Sequence, residues 1–302
     1  MKIRSITYFF NPGWPLQPSA LGGAGEFLRQ ARQAYTETGW EVETVRMATP
    51  PFPQFAPEIG PEELLKLAQD LETQAVDQGC DYISLGPALP SRPQDYLIIP
   101  RLLGSTQNVF VSGMLTSGNR VSLSAVKACA DVIHRASRLG EEGFTNLRFT
   151  ALANVPPGSP FFPGAYHDIG AGPAFAIATE AADLVVEAFA GAATPDQARS
   201  RLIAALEAQG RQLGRTGQML EAETGVKFGG IDFSPAPFPE ESLSLGTAFE
   251  KLGVRAVGMH GSLAAAALLA DSLDQGDFPR PGLSGLMLPV LEDFTLARRA
   301  AE

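Results

Sequence analysis

Residues 146–183 read NLRFTALANVPPGSPFFPGAYHDIGAGPAFAIATEAAD. Leu147 to Ala153 is apolar, compatible with β structure and about one strand long, and Pro156, Pro157, Pro160 and Pro163 follow it. A proline carries no N–H and fixes its own φ, so this run can continue neither a helix nor a central ladder strand. The chain therefore leaves a core strand near Ala153 and enters a stiff loop. Asn154, Ser159, Tyr166, His167 and Asp168 ride on that loop. The prolines reduce the entropy lost in holding one loop shape, so these polar groups could be held ready for a ligand. The alternative is that they cap helices, close turns or face water.

Working outward, the N-terminal half alternates strands and helices. Ile3 to Phe10 reads as a first strand, stopped by Asn11, Pro12, Gly13 and Pro15. A helix fits Ala24 to Thr38, with Gly22, Gly23 and Gly25 before it. Backbone N–H groups there could cradle an anion, but the spacing is neither a Walker loop nor GxGxxG. Trp40 to Met47 sets Val42, Val45 and Met47 against Glu41, Glu43 and Arg46, a second strand. Pro61 suits a first helical position, and Leu64, Leu65, Leu67, Ala68 and Leu71 give a helical stripe ending near Gly79. Tyr82 to Leu85 opens into Gly86-Pro87, and Asn108 to Met114 exits through polar residues 116–120 to a helix over Ser122 to Leu139. Arg120 stands where it could hold an anionic group, or pair on the surface.

Beyond the opening stretch, two helices are expected, over Pro173 to Ala190 and Pro195 to Thr224. If Ala174 to Thr179 is instead a strand, Glu180 moves to its end and becomes a site candidate. Val226 to Phe233 reads as a strand whose exit, Asp232 to Pro239, repeats the proline-stiffened polar design. Glu240 and Glu241 should begin a helix, and Val254 to Gly258 a short strand. An alanine-rich helix then runs to Gln275, Leu283 to Leu291 is a last apolar element, and Glu292-Asp293 leads into a basic terminal helix. The rhythm is α/β over residues 1–302 as a single domain. Its eight or nine strands suit a barrel or a doubly wound open sheet equally well.

Composition narrows the function. Of 302 residues 45% are hydrophobic and 19% charged, a globular balance able to bury a core. The net charge of −10 argues against nucleic acid, which needs a basic footprint. Cys80 and Cys129 are the only cysteines and form no CxxC pair, so both are expected reduced and buried. Ile6 to Phe10 is too short for a signal-peptide core and Leu263 to Ala270 too short to span a bilayer. A cytoplasmic protein with no membrane partner is expected, and a homo-oligomer is compatible with the sequence.

Asp232 is the stronger acidic candidate, because a carboxylate inside an apolar run needs a partner and can acquire a raised pKa; the alternative is a hydrogen bond to backbone that only fixes the loop. His167 is the second catalytic candidate, since imidazole titrates near neutrality. Asn154, Arg120, Tyr166 and Ser234 are candidate substrate-binding groups, and Asp168 and Glu180 candidate oxygen ligands for a divalent metal. His167-Asp168 spells the HD signature of metal-dependent phosphohydrolases, but the proline context and the missing further ligands argue against it. GxSxG, HExxH and P-loop motifs are absent.

Residues 153–163 (ANVPPGSPFFP) with Ala165-Tyr166-His167, Phe175-Ala176-Ile177 with Glu180, residues 230–237 (GIDFSPAP) and residues 285–293 (GLMLPVLED) resemble the domain of unknown function 711 family. In the first half the resemblance rests on the opening strand and Ser84-Leu85-Gly86-Pro87. It implies a fold similar to the α/β barrel of pyruvate formate-lyase and related glycyl radical enzymes, and it tips the fold expectation to the barrel. Radical chemistry is not expected, because neither cysteine stands in a recognisable radical-enzyme setting. The expected activity acts on a small polar or anionic metabolite by acid–base chemistry, with or without a metal. The rival is a metabolite-binding or sensing protein.

Overall fold

A computed structural model describes residues 1–140, 143–282 and 284–302. The first half runs β1 (Lys2–Phe9), α1 (Pro18–Glu37), β2 (Val42–Ala48), α2 (Phe52–Phe55), α3 (Pro61–Asp77), β3 (Tyr82–Ala88), α4 (Ile99–Ser105) and β4 (Val109–Met114). A two-residue-per-strand hairpin, β5 (Thr116–Ser117) and β6 (Arg120–Val121), precedes α5 (Leu123–Ala136) and β7 (Phe149–Leu152). Then follow β8 (Ala174–Glu180), α6 (Ala182–Phe189), α7 (Pro195–Thr224), β9 (Lys227–Asp232), α8 (Leu245–Lys251), α9 (Ser262–Gln275) and α10 (Phe294–Ala301).

Seven strands form one sheet in the order β7-β4-β3-β2-β1-β8-β9. The five from β7 to β1 are mutually parallel, β8 lies antiparallel to β1, and β9 is parallel to β8. The strand direction therefore reverses once, at the β1–β8 ladder. Among the described residues the sheet is open, with β7 and β9 as its edges.

The two faces differ in what covers them. Ile6, Tyr8, Val45, Met47, Ile83, Val111, Phe175 and Ile231 join the main core with α1, α3 and α7. On the other face Phe9, Ala48 and Ala176 meet Ala165 and Phe162 of the proline-rich loop. A doubly wound sheet would bring helices to that face, whereas here loop backbone does so. The Ser84 hydroxyl donates to the Ala165 carbonyl (2.6 Å), the His167 amide to the Thr49 carbonyl (3.0 Å) and the Tyr166 hydroxyl to the Val155 carbonyl (2.7 Å).

Several expected elements shift. The helix expected over Pro173 to Ala190 is β8 followed by α6. Phe175, Ala176, Ile177 and Ala178 are all buried, so this strand is apolar on both faces, and alanine-rich runs of that kind carry no period that separates strand from helix. Gly22, Gly23 and Gly25 lie inside α1, which starts earlier at Pro18, so no anion-binding loop precedes it. Val254 to Gly258 is not a strand, and its amides are used in turns and by the Glu250 side chain. Glu241 opens only a short 3-10 turn, and α8 begins after Ser244, whose hydroxyl accepts from the Thr247 amide. Residues 284–289 have no regular structure, and Leu283 lies outside the described residues.

Candidate functional site

The loop-covered face of the sheet is polar along its middle strands. Successive strand residues alternate faces, so Thr44 and Arg46 share the side of Ala48, away from Val45 and Met47. Arg4 reaches the same side by a bulge: Ile3 pairs with Thr179 and Ser5 with Ala178, leaving Arg4 as the extra residue. Arg4, Thr44 and Arg46 line a cavity of about 720 Å³ together with Tyr82, Phe110 and Glu180, roofed by Phe161, Phe162, residues 236–239 and Met287, Pro289, Leu291 and Glu292. A recess of about 20 Å³, room for roughly one water, lies between Arg4, Arg46, Asp232 and Ser234.

Arg46 dominates the electrostatics. It is 9% exposed, and among the described residues no carboxylate lies within ion-pair distance of it or of Arg4. Its Nε–H donates to Thr44 Oγ1 (2.9 Å), which in turn donates to the Arg4 carbonyl (2.7 Å). The guanidinium carbon stands 5.0 Å from the Phe162 ring centroid and 5.5 Å from that of Tyr82, within cation–π range. Burial, aided by repulsion from Arg4, pushes the guanidinium down to about 10. A cation is held out of water here by aromatic faces.

Asp232 ends β9 and is 2% exposed. Its Oδ1 accepts from the Ser234 amide (2.8 Å) and the Ser234 hydroxyl (2.6 Å), while Ser234 Oγ accepts from the Gly285 amide (2.8 Å). Burial raises the carboxyl above the ordinary aspartate value, and the bonds from Ser234 and the charge of Arg4 offset only part of that. Glu180 ends β8, is held to Lys2 (3.5 Å), and is raised by burial and then by the neighbouring Glu43. Lys2 also pairs with Glu43, and that bond raises its own pKa.

The raised carboxyl of Asp232 makes a pH prediction. The unfolded carboxyl loses its proton near pH 4, whereas the folded one keeps it to a higher pH. Stability from this group is therefore fully present below the unfolded value and is lost as pH rises through the folded one. Asp232→Asn should gain stability relative to the parent as pH rises from 4 to 7, read from urea midpoints at several pH values. A difference that stays constant with pH would refute this placement of the proton.

The other expected site residues lie elsewhere. The loop carrying His167 is tied to Thr49, beyond the end of β2, and its ring lies 6.5 Å from Phe9. Phe9 pairs with Ala174, whereas Ser5 pairs with Ala178, the partner of Asp232. Four residues of strand thus place His167 roughly 13 Å from the Asp232 level. The physical reason is the reversal at β8: the C-terminal end of β9 abuts the N-terminal half of β1, so these strand exits do not converge. The His167 ring is buried, bonds the Ala171 carbonyl (3.2 Å) and is lowered in pKa by burial. Tyr166 bonds within its loop, Asn154 is exposed in the left-handed region (φ 56°), and Arg120 is exposed on the small hairpin. Asp168 is exposed and accepts from the Gly170 amide (3.0 Å).

Asp168 and Glu180 could not share an ion, since roughly 20 Å of strand separates the Phe9 and Lys2 ends of β1 to which they belong. Among the described residues no group of three or more His, Cys, Asp or Glu side chains is arranged to hold a metal. Arg4 and Arg46 went unassigned in the sequence because strand alternation sorts residues into core and opposite face without saying that the opposite face is roofed. The residues on that face of the middle strands, among them Ser5, Thr7, Thr44, Ser84 and Ser112, would suit a water-facing surface equally well, so the sequence carried no signal of the roof.

The bulge, the roofing loops and Asp232 with Ser234 fall in the stretches that carried the family likeness, and a profile described as Uncharacterised ACR (DUF711) matches residues 1–302. The chain belongs to the DUF711 family. Relatives of that family include a UPF0210 protein of Pyrobaculum islandicum, 31% identical over all of this chain and 72% of its own length. A UPF0210 protein of Methanococcoides burtonii is 28% identical over 92% of this chain, and one of Desulforudis audaxviator 30% identical over 92%. The chain spans 65% of the length of each of those two DUF711 relatives. Among the described residues of this DUF711 chain no helix is long and apolar enough to cross a membrane.

Proposed function

We propose that this protein is an enzyme acting on a small anionic metabolite by acid–base chemistry, without a radical. The observation that carries the reading is Arg46, a buried cation with no carboxylate partner among the described residues, facing a roofed cavity beside Arg4 and Asp232. A buried charge is costly unless paired, so a ligand anion is the natural complement. In this reading Arg4 and Arg46 bind the anion and Asp232, with its raised pKa, exchanges the proton. His167 and Tyr166 keep the loop in place, and Asn154, Arg120 and Asp168 stay outside the chemistry.

The short bonds from Ser234 to Asp232 support a second reading, in which the carboxylate only fixes the loop and the cavity binds without turnover. A metabolite panel read by thermal shift finds the ligand, because a ligand at 100 times its Kd stabilises by about 2.7 kcal/mol. On that ligand, Asp232→Asn should lower kcat by about 10²-fold or more while binding persists. Unchanged turnover would remove Asp232 from the mechanism, and binding without any turnover in the parent would establish the second reading.

The finer fold kinship belongs with this proposal. Two parallel blocks running in opposite directions agree with a barrel built from antiparallel halves, of which the open sheet would be one part. Action in the cytoplasm is likewise proposed, supported by two free, buried cysteines.

A further inference from the structure

Resting on that reading of the cavity, we infer that its ligand is a small monocarboxylic acid with an apolar body, its carboxylate on Arg46 and Arg4 and its body between the aromatic walls. The Arg46 Nε–H is already used by Thr44, and neither terminal nitrogen has a protein acceptor among the described residues. The Tyr82 and Phe162 rings lie within cation–π distance of the guanidinium, which itself lines the cavity. Two parallel N–H groups presented this way match the two oxygens of a carboxylate.

The body of the ligand follows from the remaining walls. Phe110, Phe161, Phe238 and Leu147 line the cavity, and its volume lies in the range of small-molecule sites. The limit to one charge follows from Glu43, Glu180 and Glu292, which line the same space and oppose a second negative group. A phosphate monoester or a dicarboxylate brings that second charge.

Calorimetric titration of the intact protein with benzoate, hexanoate, succinate and inorganic phosphate tests this. Benzoate or hexanoate should bind at least 10-fold more tightly than succinate and phosphate. Arg46→Met should lose at least 10-fold of that affinity, and Arg46→Lys should recover only part, since an ammonium cannot form the paired bonds. If Arg46→Met fails to fold, Arg4→Met gives the same reading with a smaller loss. Succinate or phosphate binding as tightly as the monocarboxylates, and weakened by Arg46→Met, would overturn the monocarboxylate inference and leave the anion site standing. Binding of none of the four, or binding indifferent to both arginine variants, would overturn the inference, and the second outcome would remove the anion site as well.

Discussion

Asp293→Ala should destabilise the protein by about 4 kcal/mol, the cost expected when a fully buried carboxylate that caps two helices is removed. Asp293 is 0% exposed. Its Oδ1 accepts from the Thr295 amide (3.1 Å), the Leu296 amide (2.9 Å) and the Ser244 hydroxyl (2.6 Å). Its Oδ2 accepts from the Leu245 amide (2.6 Å) and the Gly246 amide (3.3 Å). The first turns of α10 and α8 thus share one anion, whose charge also complements both helix dipoles. Alanine would leave the Leu245, Gly246 and Leu296 amides without their side-chain acceptor, while the Thr295 amide keeps only Ser244 Oγ (3.2 Å). In a domain of this size the loss corresponds to a fall in Tm of about 6 °C. Asp293→Asn, which keeps one acceptor, should fall between. A Tm within 2 °C of the parent for the alanine variant would show that the carboxylate is not a shared cap.

Gly86→Ala should cost about 3–5 kcal/mol by a different route. Gly86 has φ 74°, and a Cβ there would stand 2.4 Å from the Pro50 carbonyl oxygen and 2.7 Å from its carbon. The left-handed backbone alone costs a residue with a Cβ about 1–2 kcal/mol, and the remainder is the displacement of a backbone that cannot rotate aside. Thr49, next to Pro50, accepts from the His167 amide, so the shift reaches the proline-rich loop. Equilibrium unfolding measures the loss, and a cost below 1 kcal/mol would contradict the close approach of β3 to residues 50–51.

The sequence disclosed most of the fold where local chemistry and tertiary position agreed. Prolines follow the ends of β1 and β7, and Pro61 and Pro195 stand at the starts of α3 and α7 as their rigid φ favours, whereas β3 runs through Gly86-Pro87 to Ala88 and was not stopped there. It misled where burial on both faces removed the period, as in β8, and where a helix ran through glycines. Gly25 sits inside α1 because a Cβ there would meet the Gln78 side chain at 2.6 Å, a constraint set by α3 and invisible locally. For the site, Asp232 was legible because an acid within an apolar run must be compensated. Arg46 was not, because its alternation with Val45 and Met47 is the same whether the opposite face meets water or a roof. Convergence of strand exits failed on one fact no local pattern contains, the direction in which β8 enters the sheet.

That direction also sets an order of assembly. β1 to β4 and β7 are complete by Leu152, and each parallel neighbour closes within a modest chain length. The ladder between Lys2 and Glu180, by contrast, must wait for a segment far along the chain, and Asp232 for one farther still. Loop closure over such separations is slow, and synthesis delivers the N-terminal strands first. A chain folding as it is made would therefore hold Arg4 and Arg46 on a wet surface until those segments emerge. Their dehydration is deferred to the last docking event, when β8, β9 and the roofing loops arrive. A ligand present at that moment would act as a folding partner as much as a substrate.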